Sequence, residues 1–134
     1  MRINGERLIS SIREMGSVGF DPESGGRTRL ALTDQDKAGR DLLCRWMRDE
    51  GLEVKIDEIG NIFGILEGSD PSELPVMMGS HIDTVRDAGM LDGVYGVLGG
   101  LEVIRTMNEN EVSAKSSLVV AAFTNEEGAR FQPD

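Results

Sequence analysis

Acidic side chains and the only histidine of the chain follow two apolar runs that have the composition of buried strands. His81 and Asp83 close the first run, VMMGSHID. Glu126 and Glu127 close the second run, LVVAAFTNEE, and Asp92 opens a glycine-rich apolar segment between the two. Because the carboxyl ends of neighbouring strands in an open α/β sheet converge on one crevice, we expect these side chains to lie together.

An imidazole grouped with several carboxylates suits zinc, manganese or a related divalent ion such as cobalt or nickel. A carboxylate can bridge a pair of such ions, which together could polarise a carbonyl and activate a water molecule. Taken singly, each residue has an ordinary structural explanation, since a lone histidine is usually hydrogen-bonded structure, an aspartate before a helix is usually a cap, and a glutamate pair is usually solvated. Their joint placement favours a site for two divalent ions.

The elements that must position these residues can be read from apolar spacing. Residues 3–15 have a helical pattern, and the segment GSVGFDPESGGRTRLAL that follows is too rich in glycine, proline and serine to be anything but a loop. Thr33 followed by Asp36 resembles a helix cap, and the helix that it opens is expected to end at Gly51.

The second half of the chain reads as a hairpin followed by a strand, a long helix and a strand. LEVKIDEI and NIFGILE form the hairpin, VMMGSHI is expected to be a strand buried on both faces, and residues 92–109 are expected to be helical. With LVVAAFT as the last strand, this order predicts an α/β fold with a mostly parallel sheet flanked by helices.

Composition narrows the class of protein. Fourteen basic against twenty-four acidic residues give a net charge of −10, which would repel phosphate backbones, so nucleic-acid binding is not expected. Neither a membrane-spanning stretch nor a signal peptide is recognisable, which makes a cytoplasmic location the expectation. Cys44 lies within an apolar periodicity and is expected to be a core residue.

The chain resembles the di-metal peptidase and amidase family that includes aminoacylases and carboxypeptidases, in the segments GSHIDTVRDAGMLDGVYGVLGGLEVIRTM and LVVAAFTNEEGARF. The ending TNEEGARF, with GGRTRLALT, DEIGNIFG and GSHIDTV, is similar to its branch of N-carbamoyl-L-amino-acid hydrolases, β-ureidopropionases and allantoate amidohydrolases. The resemblance begins near Gly25, extends to the last residue, and implies the N-terminal part of a zinc-peptidase-like catalytic domain.

The resemblance also implies a role for each candidate residue. His81 would ligate one metal ion, Asp92 would bridge both ions, and Glu127 would ligate the other. Asp83 would hold the His81 ring, as metal-bound imidazoles commonly require. Glu126 would be the general base that takes a proton from the attacking water and returns it to the leaving nitrogen.

Members of this family have two further histidine ligands and a smaller inserted domain for dimerisation and substrate closure. Since His81 is the only histidine, we expect residues 1–134 to be a partial catalytic domain that lacks the dimerisation or lid domain and the C-terminal catalytic part. We expect little or no turnover by this chain alone. The full-length enzyme is expected to be a homodimer.

The activity expected of the full-length enzyme is hydrolysis of a linear amide or ureido C–N bond in a small-molecule substrate of the N-carbamoyl-L-amino acid or allantoate type. An aminopeptidase or dipeptidase of the same family is one alternative. The other alternative is a folded fragment without catalytic activity, which either takes part in assembly or has no role.

Overall fold

Three helices and four strands make up residues 1–132, the part of the chain that this computed structural model describes. The expected domain, residues 1–134, therefore extends past the described residues at its end. In chain order the elements are α1 (Gly5–Ser17), α2 (Asp34–Asp49), β1 (Glu53–Ile56), β2 (Ile62–Leu66), β3 (Val76–His81), α3 (Val94–Glu109) and β4 (Leu118–Phe123).

The four strands form one sheet in the order β1-β2-β4-β3. β3 and β4 are parallel neighbours joined through α3, whereas β1 pairs with β2 and β2 pairs with β4 in antiparallel fashion. The predicted α/β class is therefore confirmed, but the described sheet is mixed rather than mostly parallel. The reason is the β1–β2 hairpin, whose second strand lies directly against β4 and runs opposite to it.

The second helix begins and ends on the expected signals. The hydroxyl of Thr33 accepts a hydrogen bond from the amide of Asp36 at 3.3 Å, which caps α2. Gly51 follows the last turn of α2 with φ of +80°, a conformation that favours glycine. α1 starts at Gly5, two residues later than predicted, because the side chain of Asn4 caps the helix by accepting a hydrogen bond from the amide of Arg7.

The third helix approaches the sheet closely, as its glycines indicate. A Cβ added at Gly96 would lie 2.9 Å from the Cβ of Ser80, and one added at Gly100 would lie 3.1 Å from the Cβ of Met78. α3 begins at Val94 rather than at the predicted Asp92, because Gly93 has φ of +64° and lies outside helical geometry.

The prediction that β3 is buried on both faces is wrong for the described residues. β3 lies at an edge of the sheet, and the side chains of Val76 and Met77 are 51% and 53% exposed. An apolar run does not reveal whether a further strand covers it. β4 lies between β2 and β3 and is buried from Leu118 to Ala122, as its composition predicted.

The core lies between the helices and the sheet, where α1 packs on α3, α3 packs on β3 and β4, and α2 packs on β1 and β2. Its most enclosed members include Met15, Leu43, Met47, Ile62, Leu98, Leu101 and Val120. Cys44 is buried in the same cluster, which confirms it as a core residue. No helix within residues 1–132 has the length and apolar character needed to cross a bilayer.

Candidate metal centre

Parallel pairing of β3 with β4 brings the ends of both strands to one edge of the sheet. His81 is the last residue of β3 and pairs in register with Phe123, the last residue of β4. Glu126 and Glu127 lie in the turn that follows β4, while Asp92 precedes α3, the helix that joins the two strands. The topology thus gathers the expected residues at the carboxyl edge, as the strand-end argument predicted.

Contacts between these segments confirm that they are neighbours. The Nε2 atom of His81 lies 3.3 Å from a carboxylate oxygen of Glu126. The amide of Glu127 donates to the carboxylate of Asp83 at 3.4 Å, which ties the loop after β4 to the segment after β3. The side chain of Glu126 is 55% exposed, whereas that of His81 is buried.

One hydrogen bond defines which nitrogen of His81 is free. Nδ1 lies 2.9 Å from the main-chain carbonyl of Asp83, and a carbonyl can only accept, so Nδ1 carries the proton. In the neutral ring, Nε2 then presents a lone pair, and the atom that it faces is a carboxylate oxygen of Glu126. Two acceptors facing each other call for a proton or a cation between them.

Asp83 holds the ring through its main chain and not through its carboxylate. Its Oδ1 atom is 3.8 Å from Nδ1 of His81, too far for a hydrogen bond, and it is buried without a hydrogen-bond partner. A buried carboxylate oxygen without a partner is costly, because burial removes its water and nothing replaces it. Positive charge nearby would offset that cost.

The carboxylates at this edge disfavour one another. Burial raises the pKa of Glu127 above its ordinary value, and the neighbouring charges of Asp92, Glu126 and Asp83 raise it further, whereas His81 opposes the shift. Asp92 and Glu127 are therefore close enough for their charges to interact. A bound cation would remove this repulsion.

Gly93 allows α3 to start against the histidine. A Cβ at this position would lie 2.5 Å from the Cε1 and Nε2 atoms of the His81 ring, a distance that no side chain could tolerate. The positive φ of Gly93 is a second reason for glycine here. The backbone that carries Asp92 is thereby pressed onto the face of the imidazole.

The imidazole and carboxylates at this edge are ligands that a divalent cation prefers, although they do not surround a common point. Within residues 1–132, no three His, Cys, Asp or Glu side chains meet closely enough to hold an ion as they stand. The supporting features are the free Nε2 atom of His81, the partnerless Oδ1 atom of Asp83 and the mutual repulsion that raises the pKa of Glu127. The ligand roles of His81, Asp92 and Glu127 stay predictions.

Sequence reasoning did not identify three residues that support this edge. Asn125 adopts a positive φ of 61°, turns the chain directly after β4, and donates from its side chain to the carbonyl of Phe131. Thr84 is buried within the segment that follows β3, and Arg29 is buried beside that segment. Asn125 could have been suspected, because asparagine tolerates the left-handed region, but a fully buried arginine leaves no such signal.

A cleft of about 470 Å³ opens beside the candidate centre. Leu8, Ile9 and Ile12 of α1 form one wall, and Tyr95 with the segment around Asp92 forms the other. A largely apolar hollow that meets a polar cluster is typical of small-molecule sites.

The chain is similar in sequence to known amidohydrolases over almost its whole length. An N-carbamoyl-L-amino-acid amidohydrolase of Rhizobium meliloti is 46% identical over 132 residues, which are 98% of this chain and 32% of that protein. An N-carbamoyl-L-amino acid amidohydrolase of Geobacillus stearothermophilus is 47% identical over 130 residues, 97% of this chain and 32% of that protein. The chain therefore spans about a third of the length of these relatives.

The fold has a close counterpart among solved structures. The crystal structure of a hydantoinase/carbamoylase family amidase from Burkholderia ambifaria matches with a TM-score of 0.95 at 49% sequence identity, over 98% of this chain and 32% of that one. The resemblance to carbamoylase-type amidohydrolases is thus confirmed in sequence and in fold. The profile described as Peptidase family M28 matches residues 61–131, more than half of the chain, and the chain therefore belongs to that family.

Proposed function

We propose that this chain forms part of a metal-dependent amidohydrolase that cleaves a linear amide or ureido C–N bond, of the kind found in N-carbamoyl-L-amino acids or allantoate. The observation that carries the proposal is the orientation of His81, whose free Nε2 atom faces a carboxylate oxygen at 3.3 Å. The names of the relatives, N-carbamoyl-L-amino-acid amidohydrolases, support the substrate class.

In this proposal His81, Asp92 and Glu127 would hold two divalent ions, and Asp92 would be the ligand that both ions share. Zinc or manganese suits a set of one imidazole and several carboxylates, with cobalt or nickel as alternatives. When bound, such ions polarise the scissile carbonyl and make a water molecule more acidic. A cation would also lower the pKa of Glu127, reversing the effect of burial beside Asp92.

Glu126 is the residue we assign to proton transfer. Its carboxylate is 55% exposed and lies on the open side of His81, where substrate and water can reach it. It takes a proton from the attacking water while the water oxygen bonds to the carbonyl carbon. It then gives that proton to the leaving nitrogen as the C–N bond breaks, and a released carbamate decomposes to ammonia and carbon dioxide.

We extend the proposal to the rest of the enzyme, its oligomeric state and its location. Because the relatives are about three times as long, we propose that residues 1–134 supply part of the catalytic domain and that other ligands and a dimerisation or lid domain belong to the complete enzyme. We propose a cytoplasmic homodimer that acts on small molecules and binds neither nucleic acid nor membranes. The net charge of −10 supports the exclusion of nucleic acid.

A chimeric enzyme tests the activity directly. Residues 1–134 would replace the 130 matching residues of the Geobacillus stearothermophilus relative. Hydrolysis of N-carbamoyl-L-amino acids, allantoate and dipeptides would then be measured with added manganese or zinc. We expect release of the free amino acid from the carbamoyl substrate and at least a ~100-fold loss of kcat in Glu126→Gln.

Other results would point elsewhere. Preferential cleavage of dipeptides would favour the aminopeptidase or dipeptidase alternative. Full activity of the Glu126→Gln chimera would contradict the assigned base. A folded chimera without activity on any of these substrates, alongside an active parent enzyme, would favour the non-catalytic alternative.

A further inference from the structure

Arg29 is a fully buried arginine whose guanidinium contacts main-chain carbonyls. Its Nε atom donates to the carbonyl of Ile82 at 2.7 Å. Its Nη1 atom donates to the carbonyls of Val18 at 2.8 Å and Met15 at 3.2 Å, at the end of α1. Arg29 therefore fastens the segment that follows His81 to the first helix.

The main chain of Arg29 makes a second attachment to the same segment. Its amide donates to the hydroxyl of Thr84 at 2.7 Å, and its carbonyl accepts from the amide of Thr84 at 2.9 Å. Together with the bond to Ile82, these contacts fix both neighbours of Asp83. The peptide groups around Asp83 have little freedom to rotate as a result.

The burial of this charge is not explained by an ion pair. None of the salt bridges within residues 1–132 involves Arg29, and its Nη2 atom is buried without a partner. Burial lowers the pKa of Arg29 to about 10, against the opposing pull of Asp36 and Asp83, so the guanidinium stays protonated at neutral pH. A charge kept inside the protein at such cost indicates a demand for its rigid, forked donors.

We propose that Arg29 is a positioning residue, which fixes the carbonyl of Asp83 so that His81 keeps its proton on Nδ1 and presents the Nε2 lone pair to the acidic cluster. The inference rests on the proposed function only in taking that lone pair to bind a divalent cation. Substituting a residue that orients a metal-bound imidazole through hydrogen bonds commonly lowers metal affinity by roughly 10- to 100-fold.

The experiment uses His81 as its own reporter, since the chain has no other histidine. Long-range ¹H–¹⁵N NMR at a pH where the ring is neutral gives the fraction of each tautomer. We expect the wild type to be mainly protonated on Nδ1. Arg29→Lys and Thr84→Val should make the Nε2-protonated form the major one, and Thr84→Ser, which keeps the hydroxyl, should restore the wild-type tautomer.

The matched control is Arg27→Lys. Arg27 is also buried and donates to main-chain carbonyls, those of Gly16 and Ala88, but neither of these borders Asp83. The control should therefore leave the tautomer unchanged. If Arg29→Lys fails to fold, the comparison of Thr84→Val with Thr84→Ser decides the matter, since valine keeps the shape of threonine and serine keeps its hydroxyl.

Zinc titration of the same proteins separates this inference from the metal proposal. We expect the affinity to fall roughly 10-fold or more in Arg29→Lys and Thr84→Val and to stay within about twofold in Arg27→Lys. A wild type without zinc affinity whose tautomer still shifts in both variants would support the positioning role and contradict the metal site. Folded variants that keep the wild-type tautomer, or a wild type protonated on Nε2, would overturn the inference.

Discussion

The negative charge of Glu127 destabilises the folded chain when no cation is bound, because it is partly buried beside other carboxylates. Its pKa is raised, so the folded chain holds this proton more strongly than the unfolded chain does. Its contribution to stability is therefore greatest at low pH. That contribution is lost as pH rises from the ordinary value of 4.5 through the raised one.

Glu127→Gln should therefore stabilise the metal-free chain at neutral pH. The expected gain in the free energy of unfolding is up to about 1 kcal/mol, since the side chain is partly exposed and solvent screens its repulsion. Added zinc should raise the melting temperature of the wild type more than that of the variant. Thermal unfolding with EDTA and with zinc measures both effects.

Glu73→Gln is the matched control for this prediction. This substitution makes the same chemical change at an exposed residue in the turn before β3, at the opposite end of that strand from His81. It should alter neither the metal-free stability nor the response to zinc. A Glu127→Gln variant that is less stable than the wild type in EDTA would contradict the repulsion argument.

At the scale of elements, the start of α3 depends on the glycine that touches the histidine. Gly93→Ala would set a Cβ 2.5 Å from the His81 ring at a residue with positive φ. We expect a loss of about 1–3 kcal/mol in the free energy of unfolding. The NMR signals of the His81 ring should move as well.

Gly99→Ala in the middle of the same helix provides the comparison. A Cβ there would meet nothing within 4 Å, so the substitution should be neutral or stabilise the chain by up to about 1 kcal/mol. Denaturant unfolding of both variants checks the prediction. Equal effects at the two positions would mean that the contact with His81 does not constrain Gly93.

The edge position of β3 leads to a prediction about association. Its outer side has no partner strand within residues 1–132, and exposed apolar side chains lie along it. Open strand edges of this kind promote pairing between chains. We expect self-association that rises with concentration and that Met77→Lys reduces, as measured by sedimentation velocity.

Leu74→Lys is the control for the edge, because Leu74 is 83% exposed but precedes the strand. It should change self-association much less than Met77→Lys does. A wild type that stays monomeric at every concentration, or two lysine variants with the same effect, would contradict the role of the β3 edge.

These elements also explain what the sequence could predict. The strand–helix–strand order and the acidic residues at strand ends were predictable, because apolar periodicity and the converging carboxyl edge depend on local pattern. The exposure of β3 was not, since an apolar run looks the same with or without a covering strand. The buried Arg29 depends on contacts between segments that are far apart in the chain. The contact of the His81 ring with the carbonyl of Asp83, two residues further on, depends on a local backbone conformation that an apolar pattern does not reveal.

At the scale of the whole molecule, a chain that spans about a third of its relatives' length gathers the residues of the proposed metal centre at one edge of its sheet. The sheet edge brings an oriented imidazole to a group of carboxylates in a chain of net charge −10. Such a chain attracts cations weakly at many exposed sites. A specific site must therefore be distinguished by the response of its histidine and by the effect of single substitutions.

Zinc titration followed through the His81 ring signals, in the wild type and in Asp92→Asn, Glu127→Gln and Glu73→Gln, tests the central claim most directly. We predict saturable binding that shifts the ring signals, weakened roughly 10-fold or more by the first two substitutions and unchanged by the third. Ring signals that do not respond to zinc, or a response that is the same in all four proteins, would contradict the account.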